Sequence, residues 1–297
     1  MPAHNQIKTY PLTHSNGDSI DFAIKSTGDI FDAMVDNPDM QDHPHRHAYY
    51  TLILIEEALS GVHIIDFKEY NFEGAAVHFV HPGQVHQFIS KTRPKGSVLN
   101  FSRTFLMQNG ISEDLIERVY LFNSYGDSPP LPIDSMQLSV LKDIIEQMQE
   151  YQNGTNYYRY DALGALLKLF LINICGACSL SPHNMQHETG SNRLIRNFRQ
   201  QLEKDYQVNH KVQYYAQALS VSSDYLNRFI KSKTGKSAKE LIQDKLLLES
   251  KRLLLFSDLS SKELAFELGF EEPSNFNAFF KKLSGRSPIA FRQSLRS

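Results

Sequence analysis

Chemistry-bearing side chains gather at two places in the 297 residues. Near the N-terminus, His45-Arg46-His47 opens an apolar run. Strand alternation puts both imidazoles on one face, continued by Tyr49, Thr51, Ile53 and Ile55, with Arg46 pointing the other way. A further imidazole follows in His81-Pro82-Gly83-Gln84-Val85-His86. Imidazole can hydrogen-bond a small molecule or ligate zinc or iron. Near the C-terminus, Leu226, Phe229 and Ile230 stand at i, i+3 and i+4 and mark the buried side of a helix. Ser223, Asp224, Asn227, Arg228 and Lys231 are left facing outward. Asn227 can pair bidentately with adenine and Arg228 with guanine, while Lys231 and Lys233 suit phosphate. Structural histidines and an ordinary solvated helix face are the competing readings.

The helix that carries Arg228 is half of a repeated unit. Ala216/Ala265 and Leu219/Leu268 recur at an offset of 49, and Leu226/Phe276, Phe229/Phe279, Lys231/Lys281 and Gly235/Gly285 recur at 50. Each copy reads as a short helix, a tight turn and a second helix ending at Gly, a helix-turn-helix written twice. Such a motif places its second helix in the DNA major groove. In the second copy Phe276, Phe279 and Phe280 form the buried stripe and Ser274, Asn275, Asn277 and Lys281 face out. Ala278 stands where the first copy has Arg228, so the second helix should contact mainly phosphate. A long helix over 238–256 joins the two reading helices. That spacing suits successive major grooves about 34 Å apart.

Charge agrees with this division. Residues 191–297 hold 19 Lys/Arg against 11 Asp/Glu, a net +8, and the rest of the chain is −10. A polyanion partner, double-stranded DNA, is expected for the basic part alone. The start Met1-Pro-Ala-His-Asn carries no basic and apolar signal segment. The longest apolar stretch, Ala162–Cys178, is broken by Lys168 and Asn173 and is too short for a membrane span. A cytoplasmic protein with no membrane partner is expected. Cys175 and Cys178 form a Cys-x-x-Cys inside that stretch. Zinc would need two more ligands at suitable spacing, so the pair reads as small buried helix residues.

Residues ~18–105 read as short strands, among them 49–55, 62–67, 75–80 and 97–102, separated by Gly and Pro turns. That pattern suggests a sandwich or small barrel. Leu138, Leu141, Ile144, Ile145 and Met148 mark one amphipathic helix, capped at Asp134 or Ser135. A second, more uniformly apolar helix over 157–178 completes a helical hairpin. The hairpin either packs only on the barrel or makes a dimer contact through Leu141 and Ile145. Residues ~179–191 show no apolar period and read as a linker. At least six helices should follow, the last capped by Ser287 with Pro288 in its first turn.

Residues ~190–297 resemble the DNA-binding domain of AraC/XylS-type transcription regulators. The resemblance rests on Ala216-x2-Leu219, Tyr225-Leu226-Asn227-Arg228-Phe229-Ile230-Lys231 and Gly235. It rests also on Glu263 through Phe270 with its Leu268-Gly269-Phe270, on Asn275-Phe276, Phe280-Lys281-Lys282 and Gly285, and on Ser287-Pro288-x2-Phe291-Arg292. It implies that Asp224, Asn227 and Arg228 face bases in the first reading helix, and Ser274, Asn275 and Ala278 in the second. Ala278 departs from the Arg common there.

The His-x-His strand, the later Gly and the final His resemble the family's sensor domain, which implies a cupin-like barrel. His45, His47, His86 and Tyr49 would then bind an effector. Metal-binding cupins usually add a carboxylate where this chain has Thr51, yet three imidazoles could still hold zinc or iron.

The expected architecture is multidomain α and β. A cupin-like sensor barrel spans 1–105, a helical dimerisation hairpin 106–180, a linker 181–191 and an all-α double helix-turn-helix domain 192–297. The expected protein is a sequence-specific transcription regulator controlled by a small organic effector. It is a homodimer and not an enzyme, with no catalytic residues and no cofactor, and the resemblance adds RNA polymerase as a partner. The alternatives are a cupin-type metalloprotein or enzyme fused to a DNA-binding domain, and a regulator whose barrel binds a protein or only dimerises.

Overall fold

The computed structural model describes residues 9–13, 20–36, 43–57, 60–112, 115–116, 129–177 and 190–296. They divide into two compact units, one within 9–177 and one within 190–296. Cys178, the side chain of Cys175 and most of the expected linker lie outside the described residues.

The first unit is built on two five-stranded sheets. One has the order β1 (Thr9–Tyr10), β3 (His45–His47), β8 (Val85–Ser90), β5 (Gly61–Ile65), β6 (Lys68–Asn71). The other has the order β10 (Leu131–Pro132), β7 (Ala76–Val80), β4 (Tyr50–Glu57), β9 (Lys95–Phe101), β2 (Phe22–Ser26). All pairings are antiparallel except β1 with β3. Helix α1 (Thr27–Asp36) follows β2, and α2 (Arg103–Gln108) follows β9. The predicted strands appear with ends moved by one to two residues. The short β6 and β8, the edge strand β2 and helix α1 were not legible as separate elements. β10 lies beyond residue 105 and still pairs with β7, so the second sheet takes a strand from past the expected barrel boundary.

The hairpin helices are α3 (Ser135–Asn153) and α4 (Arg159–Ala177). Asp134 caps α3, and Gln137 returns the bond to the Asp134 backbone. The apolar stripe of α3 packs on the second sheet. Leu141, Ile144, Ile145 and Met148 share one core with Leu52, Leu54, Val77, Leu99 and Phe101. This corrects the expectation that Leu141 and Ile145 meet a dimer partner: both are buried within the unit. It also explains why β4 lacks a polar face. Leu52 and Leu54 meet the helices, while the alternate Thr51 and Ile53 face a cavity inside the unit.

Seven helices are described in the second unit: α5 (Gly190–Asp205), α6 (Val212–Ala218), α7 (Ser223–Thr234), α8 (Ala238–Phe256), α9 (Ser261–Glu267), α10 (Pro273–Ser284) and α11 (Pro288–Arg296). Ser222 caps α7 through the Tyr225 amide. Ser237–Glu240 and Ser260–Glu263 form capping boxes on α8 and α9. Both reading helices end on a left-handed glycine, Gly235 at φ 76° and Gly285 at φ 77°. Gly269 follows α9 at φ 74°, and a Cβ there would collide with the Gln207 carbonyl, so the Leu-Gly-Phe motif needs its glycine. Arg292 donates to the Leu254 and Leu259 carbonyls at 2.7 Å each, tying the Ser-Pro-x-x-Phe-Arg motif to the end of α8.

Candidate functional site

The candidate DNA-reading face is built from two helices, α7 and α10. On α7, Leu226 and Ile230 are fully buried and Phe229 is half-buried, which turns Asp224, Arg228, Lys231 and Lys233 outward. Ser223 is half-exposed beside them. Asn227 behaves differently. Its Oδ1 accepts from the Lys239 amide at 3.2 Å, one of the unpaired N–H groups at the start of α8. The Asn227 carboxamide therefore couples the reading helix to the connecting helix, and its carbonyl is not turned toward a base. On α10, Phe276 and Phe280 are buried and Ser274, Asn275, Asn277, Ala278 and Lys281 are exposed. Lys231 and Lys281 lie in the last turns of their helices, where a cation also complements the helix dipole.

The sensor-side site is a cavity of about 1150 Å³ within the first unit. Both sheets line it: His45, His47 and His86 from one, Thr51, Ile53, Val98 and Asn100 from the other. Ile30, Phe31 and Met34 of α1 add an apolar wall, and Gln152 of α3 adds a polar edge. Gln152 is fixed by a pair of bonds to the backbone of Ile24, accepting from its N–H at 2.6 Å and donating to its C=O at 3.1 Å. That clamp satisfies edge strand β2 and seats α3 beside the cavity. Helix α1 is held by Arg93, which donates to both Asp32 oxygens at 3.0 Å.

Pairing of β3 with β8 sets His45 directly opposite His86. His45 Nε2 lies 3.1 Å from His47 Nε2. His45 Nδ1 donates to the His43 carbonyl at 2.8 Å, which leaves its Nε2 as a lone pair. Tyr49 stacks on His47 with ring centroids 4.5 Å apart. It is buried behind that ring and is not among the described residues that line the cavity. Tyr49 thus braces His47, and burial pushes its hydroxyl pKa up to about 12.

Two more histidines extend the cluster inward. His86 Nδ1 is 3.0 Å from His63 Nε2, and His63 Nδ1 is 3.1 Å from His78 Nδ1. The contact between His63 and His78 crosses from one sheet to the other. All three rings are buried. Burial pulls His78 down to about 4 and His47, helped by the His45 charge, to about 3. Burial also holds His63 and His86 well below the usual imidazole range. The four rings are neutral at pH 7 and act through lone pairs and N–H groups rather than charge. His63 and His78 were missed in the sequence. Each is a single His in an apolar strand, and only the sheet pairing brings them together.

Comparison with known proteins places the chain. Residues 215–294 match the family model described as a helix-turn-helix domain. The RhaS transcriptional activator of Klebsiella pneumoniae (strain 342) is 21% identical over 252 residues, covering 84% of this chain and 87% of that protein. The helix-turn-helix match and the RhaS relatives support an AraC/XylS-type transcription regulator. RhaS of Escherichia coli O81 is 22% identical over the same shares. Among solved structures, ToxT of Vibrio cholerae is similar at 15% identity and TM-score 0.43, covering 92% of this chain and 98% of that one. The C-terminal domain of AraT from Geobacillus stearothermophilus is 30% identical with TM-score 0.33, covering 34% and 84%. These similarities support a DNA-binding transcription regulator, and the matched residues include both α7 and α10, the second helices of the two helix-turn-helix motifs. No helix among the described residues is long and apolar enough to cross a membrane.

Proposed function

We propose that this regulator is a cytoplasmic homodimer whose DNA binding is controlled by a small organic molecule in the sensor cavity. The observation that carries the reading is the cavity itself. It has an apolar wall on α1 and β4, a few fixed polar groups at one end, and a volume of about 1150 Å³, slightly above the roughly 300–1,000 Å³ usual for small-molecule sites. His45, His47 and His86 supply the polar end, with Tyr49 bracing His47 from behind. Because burial holds His47 and His86 neutral, these rings would engage an effector by hydrogen bonding rather than by ion pairing. An aromatic acid has the matching shape, an apolar body with one polar end.

On the DNA side, Arg228 reads guanine, with Ser223 and Asp224 flanking it and Asn227 securing α8. Ser274, Asn275, Asn277, Lys231 and Lys281 position the protein on the backbone. RNA polymerase is the further partner of an activating complex. An effector regulates only if it binds one arrangement of the DNA-binding units better than another.

A melting screen of the full chain against small aromatic and aliphatic acids tests the reading. A hit should raise the melting temperature and change operator affinity. His47→Ala and His86→Ala should lose both responses while binding DNA as wild type does without the hit. Full responses in both variants would move the effector site elsewhere.

A further inference from the structure

The polar end of the cavity is better organised than hydrogen bonding to an organic molecule requires. His45, His47 and His86 each present a ring nitrogen, and the three nitrogens lie within 4.8 Å of one another. His45 Nε2 and His47 Nε2 are 3.1 Å apart. Two nitrogens bound to one ion at about 2.0–2.1 Å stand roughly 2.8–3.4 Å apart, from right-angle to tetrahedral geometry. His86 Nε2 is buried and has no hydrogen-bond partner. A buried ring nitrogen left without a partner is costly unless something binds it.

The outer groups fit the same purpose. A histidine that ligates a metal normally donates its other N–H to a carbonyl, carboxylate or similar acceptor, which fixes the tautomer. His45 donates Nδ1–H to the His43 carbonyl and so aims the lone pair of Nε2 at the cluster. His86 Nδ1 faces His63 Nε2, and His63 Nδ1 faces His78 Nδ1. Two orientations satisfy both contacts, and the one a metal at His86 Nε2 would select has His86 donating to His63 and His63 donating to His78. It leaves His86 Nε2 a lone pair on the cavity side.

We propose that His45, His47 and His86 bind one divalent late first-row transition ion, such as zinc, with His63 as the residue that positions His86. Three imidazole nitrogens are a set for zinc, nickel, cobalt or ferrous iron rather than for calcium or magnesium, which take oxygen ligands. Three protein ligands leave at least one coordination position, and the cavity lies beside it. The Thr51 hydroxyl donates to Asn100 Oδ1 at 2.9 Å and supplies no carboxylate to close the site. The inference stands apart from the organic effector, since the ion needs only the histidines.

The test is a metal titration of the full-length chain, stripped with a chelator, with no organic ligand present. Zinc is titrated in competition with a chromophoric chelator, and cobalt(II) is followed by its visible bands. One equivalent per chain is expected, with cobalt bands showing nitrogen ligation. His45→Ala and His86→Gln should each lose the bands and the tight equivalent. Both variants should melt cooperatively and bind DNA, and His45, being only half-buried, is the safer of the two. His63→Gln should keep the stoichiometry and weaken zinc binding about 10–100-fold. Absence of a tight equivalent in wild type overturns the proposal, as does unchanged binding in the folded His45→Ala variant. Wild-type affinity in His63→Gln would overturn the positioning role. Because no effector is present, failure here leaves the effector reading untouched.

Discussion

Arg228 and Asn227 are neighbours on one helix, yet the fold gives them different work. Arg228 is exposed, so Arg228→Ala should cost about 1–3 kcal/mol of operator binding and relax discrimination at one base position. Gel-shift titrations on the operator and on random DNA check this, and equal losses on both would reduce Arg228 to a phosphate contact. Asn227 is tied to the Lys239 amide, so Asn227→Ala should act first on folding. About 1 kcal/mol of stability should be lost in urea unfolding, the usual size for one helix-end bond. The buried histidines predict a pH dependence. His78 titrates near 4 in the folded chain and near 6.5 when unfolded. Between those values the unfolded chain holds more protons, so stability is full above about 6.5 and declines as pH falls toward 4. Chelator-treated protein should melt at lower temperature at pH 5 than at pH 7.5, and His78→Gln should reduce the difference without abolishing it, since His47, His63 and His86 are also held low. A melting temperature that is level across this range would mean that the buried histidines protonate freely in the folded state.

At the scale of elements, the hairpin shows how one amphipathic pattern can serve two readings. The stripe through Leu141 and Ile145 is used up on the second sheet, so charges placed there would damage the fold and say nothing about assembly. The apolar residues left outside include Met136 and Val140 on α3 and Leu169 and Ile172 on α4. If the hairpin dimerises, Val140→Asp with Ile172→Asp should yield monomers in sedimentation without lowering the melting temperature of dilute protein. A wild-type chain that is monomeric at micromolar concentration, with and without DNA, rules the homodimer out. Gly269 is the element-scale test of the second unit. Gly269→Ala forces a Cβ into the left-handed region and onto the Gln207 carbonyl, so a loss of at least about 1–3 kcal/mol is expected in chemical unfolding.

For the whole molecule, the charge division predicts the salt dependence of DNA binding. The basic C-terminal part displaces counterions on binding, so log affinity should fall linearly with log salt. Lys281→Ala should make that slope shallower by about one unit and weaken all sequences alike. A slope unchanged by Lys281→Ala would place that side chain off the DNA.

The amino-acid sequence alone determined the DNA-binding unit almost completely. Its helices are local, their periods are written in contiguous residues, and the unit is stated twice. Capping residues such as Ser222, Ser237 and Ser260 and stops such as Gly235 and Gly285 act within a turn of where they stand. The His-x-His strand could be read for the same reason, since its alternation spans three residues. The tertiary structure alone decided what surrounds it. His63 reaches His78 across 15 residues and His86 across 23, and Gln152 clamps Ile24 across 128. Strand pairing and sheet stacking set those partners, and neither leaves a periodic trace in one strand's own residues. The same physics separated Tyr49 from the cavity and gave Leu141 to the core. Alternation and helical period say which residues share a face, and only packing says what that face meets.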